Sequence, residues 1–391
     1  MTVFSRRVLA AKPSASLAVA ARAIQLRREG KEIVSLSVGE PDFPVFPHVA
    51  RAVEEALKKG YTKYTASSGT AELREAISDW MQGEVGQRWT LPQIVATAGA
   101  KQALYNACQA LLDEGDEAII PNPYWVSYPD MVRLAGATPV ELRMSAEDGW
   151  QPRPEALEEA ITPRTRVVML GSPSNPTGAV WSEAAMRGLA RVLEKHPQIV
   201  VLSDDIYHRL VYGGARPWNI LQVAPQLKDR TVLVNGCSKA YAMTGMRLGW
   251  ACGPLESIAA MGKVQDSSTS NPSSLSQWAA VAALRGPQEL VEAMRVQFER
   301  RRDLMVELVR SIPSVRCTVP DGAYYVFCDV SAYRASDVKI SEVLLEQHGV
   351  AVVPGSAFGQ DGHLRLSFAT SDGEIRRGVE RMARGLSGFG A

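Results

Sequence analysis

The chain has 391 residues, 46% of them hydrophobic and 22% charged, and its 43 basic and 42 acidic side chains nearly cancel. This composition excludes a disordered or fibrous chain, and the length suggests two domains, or one large domain with a smaller partner. The charge balance gives no reason to expect nucleic acid or an anionic membrane as a partner.

No run approaches the ~18 apolar residues of a membrane span, and the N-terminus lacks the sustained apolar stretch of a secretory leader. The five cysteines, Cys108, Cys237, Cys252, Cys317 and Cys328, are odd in number and contain no CxxC pair. They argue against a disulfide framework and a zinc site, and they fit a reducing cytoplasm.

No internal repeat or low-complexity linker interrupts the chain. From residue 94 onward, short apolar runs alternate with longer amphipathic ones. The candidate strands are IVATAG (94–99), EAIIP (117–121), TPVELRM (138–144), RVVMLGSP (166–173), IVVLSDD (199–205), TVLVNGC (231–237) and LGWACG (248–253). Helical patterns such as KQALYNACQALLDEG and EAAMRGLARVLEKH lie between them. Strand–helix alternation predicts an α/β fold with a mostly parallel sheet covered on both faces. The continuous Val/Ile/Leu runs agree with strands buried on both sides. TVLVNGC and LGWACG are too close for a crossover helix, so that pair is expected to be antiparallel.

The C-terminal part reads differently. A charged helix is expected over about 286–312, then VRCTVP, GAYYVFCDV, VAVVPG and HLRLSFA as strands, with helices at DVKISEVLLEQHG and EIRRGVERMARGL. We expect a smaller α+β domain from 290–391 together with residues 1–45, and a large domain over 46–289.

Ligands of open parallel sheets bind beyond the carboxyl ends of the strands. Four strand ends carry suitable chemistry. Gly99-Ala100-Lys101 can present backbone N–H groups and a helix N-terminus to an anion, although the string also reads as an ordinary strand-to-helix turn. Asn175 in GSPSNPTG can donate to an oxygen on a ring; the same string is also a plain Pro/Gly turn. Asp204 follows an apolar strand and, if buried, needs a cationic or hydrogen-bonding partner; a helix cap is the alternative for it, with Tyr207 three residues on. In GCSKAYAMTGMRLG (236–249), a lysine desolvated among small apolar residues becomes a nucleophilic amine able to form a Schiff base, whereas a snorkelling surface lysine is the commoner case. Arg247 offers a planar fork for a phosphate. A ligand with an aldehyde, a phosphate, a ring cation and a phenol-like oxygen satisfies all four ends, and pyridoxal 5′-phosphate has these groups.

SKAYAMTGMRLG resembles the lysine signature of the class I/II aminotransferases, pyridoxal-phosphate enzymes of fold type I. LSVGEPDF (36–43), YTKYTASSGTAELREAI (61–77), PNPYWVSYP (121–129), SNPTG, SDDIY, PDGAYYVF (320–327) and HLRLSFA (363–369) follow in that family's order over essentially the whole chain. AGAKQAL and PYWVSYPDMVRLAG are most similar to the bacterial aspartate and aspartate/prephenate aminotransferase branch.

The resemblance implies a seven-stranded sheet in the large domain and roles by position. Lys239 is to hold the cofactor and shuttle a proton, Asp204 to pair with its ring nitrogen, and Asn175 and Tyr207 to contact its ring oxygen. Trp125 is to stack on the ring. Gly99, Ala100, Lys101, Ser238 and Arg247 are to surround the phosphate, with Tyr64 reaching the phosphate of a neighbouring subunit in a homodimer. Arg365 and the Gly39 backbone are to hold the substrate α-carboxylate, with Lys101 and Lys12 taking a distal carboxylate. The implied reaction passes the amino group of L-aspartate to 2-oxoglutarate.

Two departures stand out. Gly236 occupies a position where some aspartate aminotransferases carry a phosphate-binding serine. The segment QDSSTSNPSS (265–274) supplies no arginine for a distal carboxylate. Other amino donors (aromatic, alanine, arginine, prephenate or arogenate), a Cβ lyase and a non-catalytic amino-acid-binding regulator are the alternatives.

Overall fold

The computed structural model describes residues 4–11 and 15–390. Its strands, in chain order, are β1 (Val34–Ser35), β2 (Ile94–Thr97), β3 (Glu117–Asn122), β4 (Thr138–Arg143), β5 (Thr165–Gly171), β6 (Val200–Asp204) and β7 (Thr231–Gly236), then β8 (Gly249–Cys252), β9 (Arg316–Cys317), β10 (Tyr325–Asp329), β11 (Val350–Ala351), β12 (Val353–Pro354) and β13 (His363–Ser367).

Seven strands form one sheet in the order β2-β8-β7-β6-β5-β3-β4. All run parallel except β8, which pairs antiparallel with both β7 and β2. The β7–β8 register runs from Leu233↔Cys252 to Gly236↔Gly249, as the short connection between them requires. Strands β2, β3 and β7 are buried along their whole length, which explains apolar runs without alternation.

The helices between the strands are capped and one-sided. In Glu183–Glu194, Ser182 accepts the Ala185 N–H at 3.2 Å, while Met186, Leu189, Ala190 and Leu193 face the core. The strand expected over 94–99 stops at Thr97, because Gly99 turns the chain at φ +89° into the helix Ala100–Leu111. Only glycine adopts that φ cheaply.

A second sheet, order β12-β13-β10-β9, is antiparallel, and β1 pairs in parallel with β11. The helices Glu289–Arg310 and Asp337–His348 pack against the four-stranded sheet, and Asp372–Leu386 packs against both of these helices and against β1 and β11. The helix Ala15–Arg28 joins this unit: Ala23 and Leu26 pack with Ile33, Leu345 and Ala351, and Arg22 grips Glu346 at 2.6 and 2.9 Å. The short helix Arg6–Ala10 instead lies beside Tyr128–Leu134, a helix of the larger unit.

Two sets of backbone bonds aim the smaller sheet at the larger one. Leu36 donates to Ala351 O at 2.9 Å and accepts from Ser367 N–H at 2.7 Å, which delivers Ser37–Glu40 to the junction. Gly322 N–H donates to Gly178 O at 2.8 Å, which ties the turn before β10 to the SNPTG turn.

Candidate active site

A cavity of about 450 Å³ opens where the carboxyl ends of β2, β3, β5, β6 and β7 meet β10 and β13. Its lining includes Gly39, Ala100, Lys101, Trp125, Asn175, Asp204, Tyr207, Ser238, Lys239, Arg247 and Arg365. Residues from distant parts of the sequence thus share one space.

Asp204 ends β6 and is buried. Tyr128 Oη donates to its Oδ2 at 2.8 Å and Ile206 N–H to its Oδ1 at 3.3 Å. Gly171, its register neighbour on β5, allows this approach, since a Cβ there would meet Tyr128 Oη at 3.0 Å. Burial pushes the Asp204 carboxyl up to about 6 despite these two donors. A buried carboxylate held this far from its ordinary range is better satisfied by a cation than by the groups around it.

Lys239 follows β7. Its Nζ donates to Gly39 O at 2.5 Å, and Tyr324 Oη donates to the same oxygen at 2.8 Å. Burial lowers the amine to about 8, partly opposed by the Glu40 carboxylate. Glu40 in turn accepts from Thr244 Oγ1 at 2.7 Å.

Arg247 crosses the N-terminus of Ala100–Leu111. A Cβ on Gly99 would meet its Nη2 at 2.6 Å, so the glycine is required by contact as well as by φ. Lys101 Nζ stands 4.8 Å over the Trp125 ring. Lys101 is exposed as a residue, and nearby protein partly desolvates it. That desolvation, and then Arg247, lowers its pKa.

Arg365, on β13, is 3% exposed. Nη1 donates to Asn175 Oδ1 at 3.0 Å and Nη2 to Ser37 O at 2.7 Å, while Nε is buried without a partner. Its guanidinium lies 4.3 Å from the Tyr325 ring centroid. Tyr207 shares a hydrogen bond with Tyr325, Oη to Oη, at 2.9 Å.

These donors and acceptors fit pyridoxal phosphate. A carboxylate in want of a cation, a desolvated amine, a helix N-terminus flanked by Arg247 and Lys101, and an aromatic face surround one cavity.

Comparison with known proteins agrees. The family described as "Aminotransferase class I and II" matches residues 31–382. The chain belongs to the class I and II aminotransferases. It is 44% identical over all of both chains to the aspartate/prephenate aminotransferase of Cereibacter sphaeroides. It is 47% identical to the aspartate aminotransferase of Rhizobium meliloti strain 1021, over 94% of this chain and 92% of that one. The crystal structure of the aspartate aminotransferase from Rhizobium meliloti superposes with a TM-score of 0.95 at 45% identity, over 99% of each chain. The aspartate aminotransferase from Thermus thermophilus with maleate gives 0.94 at 45% identity, over 98% of this chain and 100% of that one.

This aminotransferase uses pyridoxal phosphate, acts on amino and 2-oxo acids, and has the fold-type-I architecture. Not every expected residue reaches the cavity. Tyr64 is 91% exposed and does not line its own chain's cavity. Lys12 lies outside the described residues. Gly236 faces Gly249 and Leu248, and does not line the cavity. In 265–274, Gln265 is buried and spends its amide on the carbonyls of Ser67 and Ala96 at 2.7 and 2.8 Å.

The residue reading missed Tyr128, Glu40, Ser37 and the Tyr324–Tyr325 pair. PYWVSYP and PDGAYYVF carry three of these, and the available signal is a polar-tipped aromatic, at the start of a helix for Tyr128, just before β10 for Tyr324 and at its start for Tyr325.

Proposed function

We propose that this aminotransferase passes the amino group of L-aspartate to 2-oxoglutarate, yielding oxaloacetate and L-glutamate. The observation that carries the reading is that Arg365 and Lys101 both line the cavity that holds Lys239 and Asp204. Two cations in one cavity with a nucleophilic amine suit a dicarboxylic amino acid. The names of the relatives support aspartate, and the Thermus thermophilus structure carries maleate, itself a dicarboxylate. Several relatives are named for prephenate as well, which makes that larger dicarboxylate the second acceptor to test.

Bound pyridoxal phosphate supplies an electron sink that stabilises negative charge at the substrate Cα. The residues do the rest. Arg247, Ser238, Lys101 and the N–H groups at Gly99 and Ala100 would hold the phosphate. Asp204, kept in place by Tyr128, would hold the ring nitrogen protonated. Trp125 would cover one ring face, and Asn175 with Tyr207 would hold the ring oxygen.

Arg365 binds the substrate α-carboxylate through its fork, and the Gly39 backbone closes over it. This fixes the Cα–H bond toward Lys239. Lys239 Nζ, lowered to about 8, has a large neutral fraction at mildly alkaline pH. It takes the Cα proton and hands it on. Lys101, and Lys12 from the N-terminal segment, bind the distal carboxylate.

We further propose a homodimer in which Tyr64 serves the neighbouring chain's phosphate site. Tyr64, Leu57 and Tyr61 form an exposed apolar stretch in one part of the sequence, which suits an interface. Residues 46–289 make the large domain, and residues 1–45 with 290–391 the small one, apart from the helix Arg6–Ala10, which lies beside the large domain. No helix among the described residues is long and apolar enough to cross a membrane. The free cysteines fit a cytoplasmic setting.

The visible absorption spectrum of the purified protein, before and after excess L-aspartate, tests the reading. A yellow band that bleaches with aspartate supports it. A band that L-aspartate leaves unchanged, but another amino acid bleaches, overturns the substrate assignment.

A further inference from the structure

Cys317 and Cys328 lie directly opposite each other on β9 and β10. Register partners across an antiparallel pair have Cα atoms about 4.5–5.5 Å apart, inside the range of about 4.4–6.8 Å that a disulfide spans. Both are free thiols here.

The two sulfurs differ in setting. β9 is the edge of its sheet, and Cys317 is partly exposed, whereas Cys328 is fully buried. Arg310 Nη2 donates to the Cys317 carbonyl at 3.0 Å, which brings its guanidinium beside that thiol. The neighbouring Cys328 thiol, and then Arg310, lower Cys317 to about 7. Burial pushes Cys108, Cys237 and Cys252 up instead, and none of these three is exposed. Only one cysteine therefore combines access with thiolate character, and a second thiol stands opposite it.

We propose that Cys317 and Cys328 form a reversible cross-strand disulfide when the folded enzyme meets a hydroperoxide. The Cys317 thiolate attacks the peroxide, the O–O bond breaks, and Cys317 becomes a sulfenic acid while water or an alcohol leaves. The Cys328 sulfur then attacks that sulfur. The S–S bond forms, the S–O bond breaks, and the hydroxyl departs as water with the Cys328 proton. Two electrons pass from the thiol pair to the peroxide. A dithiol reductant returns them by exchange and is itself closed to a disulfide. The site is separate from the cofactor cavity, although β10 also carries Tyr325, whose ring underlies Arg365.

The test is a thiol count and peptide map of the holoenzyme after brief hydrogen peroxide treatment, acid quenching, denaturation and alkylation. We expect the five thiols of the chain to fall by two. A peptide joining Cys317 to Cys328 should appear, and dithiothreitol should remove it. Cys317→Ser should keep all its remaining thiols free under the same treatment. Cys328→Ala should carry Cys317 on to the sulfinic acid. Wild-type protein that retains every thiol overturns the proposal. So does a disulfide joining any other pair or two chains, or a sulfinic Cys317 beside a free Cys328.

Discussion

Arg365 Nη1 donates to Asn175 Oδ1 at 3.0 Å, so the middle of β13 is tethered to the turn after β5. That contact leaves Nε buried and unsatisfied, and the Tyr325 ring fixes the plane of the guanidinium. A fork prepared in this way awaits a carboxylate. Arg365→Ala is expected to raise KM for both amino acid and 2-oxo acid by about 10- to 100-fold, the worth of ~1.5–3 kcal/mol for charged hydrogen bonds. Steady-state kinetics in both half-reactions measures this, and unchanged KM values would remove Arg365 from the carboxylate site.

Lys239 is the nucleophile on this reading, and its pKa makes a separate prediction. Burial stabilises the neutral amine, with a midpoint at about 8 in place of 10.5. The rate at which apoprotein captures pyridoxal phosphate should therefore rise with pH through about 8 and level off above it. Stopped-flow absorbance reads the rate directly. A midpoint near 10 would mean the amine is solvated. Lys239→Ala should lack both capture and turnover, and a variant with near-normal turnover would refute the assignment.

Asp204 should cost stability in the protein without cofactor. Its pKa rises from 3.8 to about 6, so the folded state holds a proton that the unfolded chain releases between these values. Stability from this group is therefore lost as pH rises through that window. A shift of about two units corresponds to ~3 kcal/mol as an upper bound. Asp204→Asn apoprotein should be more stable than wild type by about 1–3 kcal/mol above pH 6, with the gain gone near pH 4. The same variant should lose roughly 100-fold or more in kcat, about 3 kcal/mol of transition-state stabilisation. Denaturant melts at pH 4 and 8 decide the first part. A destabilised variant at pH 8 contradicts the burial argument.

These side chains were unequally legible in the sequence. Asp204, Lys239 and Asn175 end apolar runs that are unmistakable strands, and a polar group at such an end must point into the crevice. Tyr128 was harder, because its partner lies across the sheet and its path depends on Gly171 having no side chain. Glu40 and Tyr324 were harder still. They meet Lys239 through Gly39, at a junction that exists only once β1 has paired with β11 and β10 with β13. The Cys317–Cys328 pairing needs the β9–β10 register, which neither spacing nor composition supplies. Local pattern located the strand ends, and long-range pairing decided who stands opposite whom.

Lys101 separates substrate classes. Its ammonium lies over the Trp125 ring, and it lines the same cavity as Arg365. Aspartate needs a cation there and alanine does not. Lys101→Ala should lower kcat/KM for aspartate by about 10- to 100-fold, while the value for alanine, relative to any shared loss from the phosphate site, changes several-fold less. Equal losses for both amino acids would place Lys101 on the cofactor alone.

Gly236 allows the converse experiment, in which a hydroxyl is restored. On sequence grounds Gly236→Ser returns a phosphate donor that related enzymes carry. The packing argues otherwise. A Cβ at Gly236 would lie 2.9 Å from both Gly249 Cα and Leu248 O, across the β7–β8 register, and the position does not line the cavity. Backbone on both counts, these neighbours cannot swing aside as a side chain would. Overpacking of this kind costs about 1–3 kcal/mol. Gly236→Ser should therefore melt several degrees lower without gaining affinity for pyridoxal phosphate. Thermal denaturation and cofactor titration together check this. Tighter cofactor binding at unchanged melting temperature would mean that β7 and β8 part more easily than their register implies.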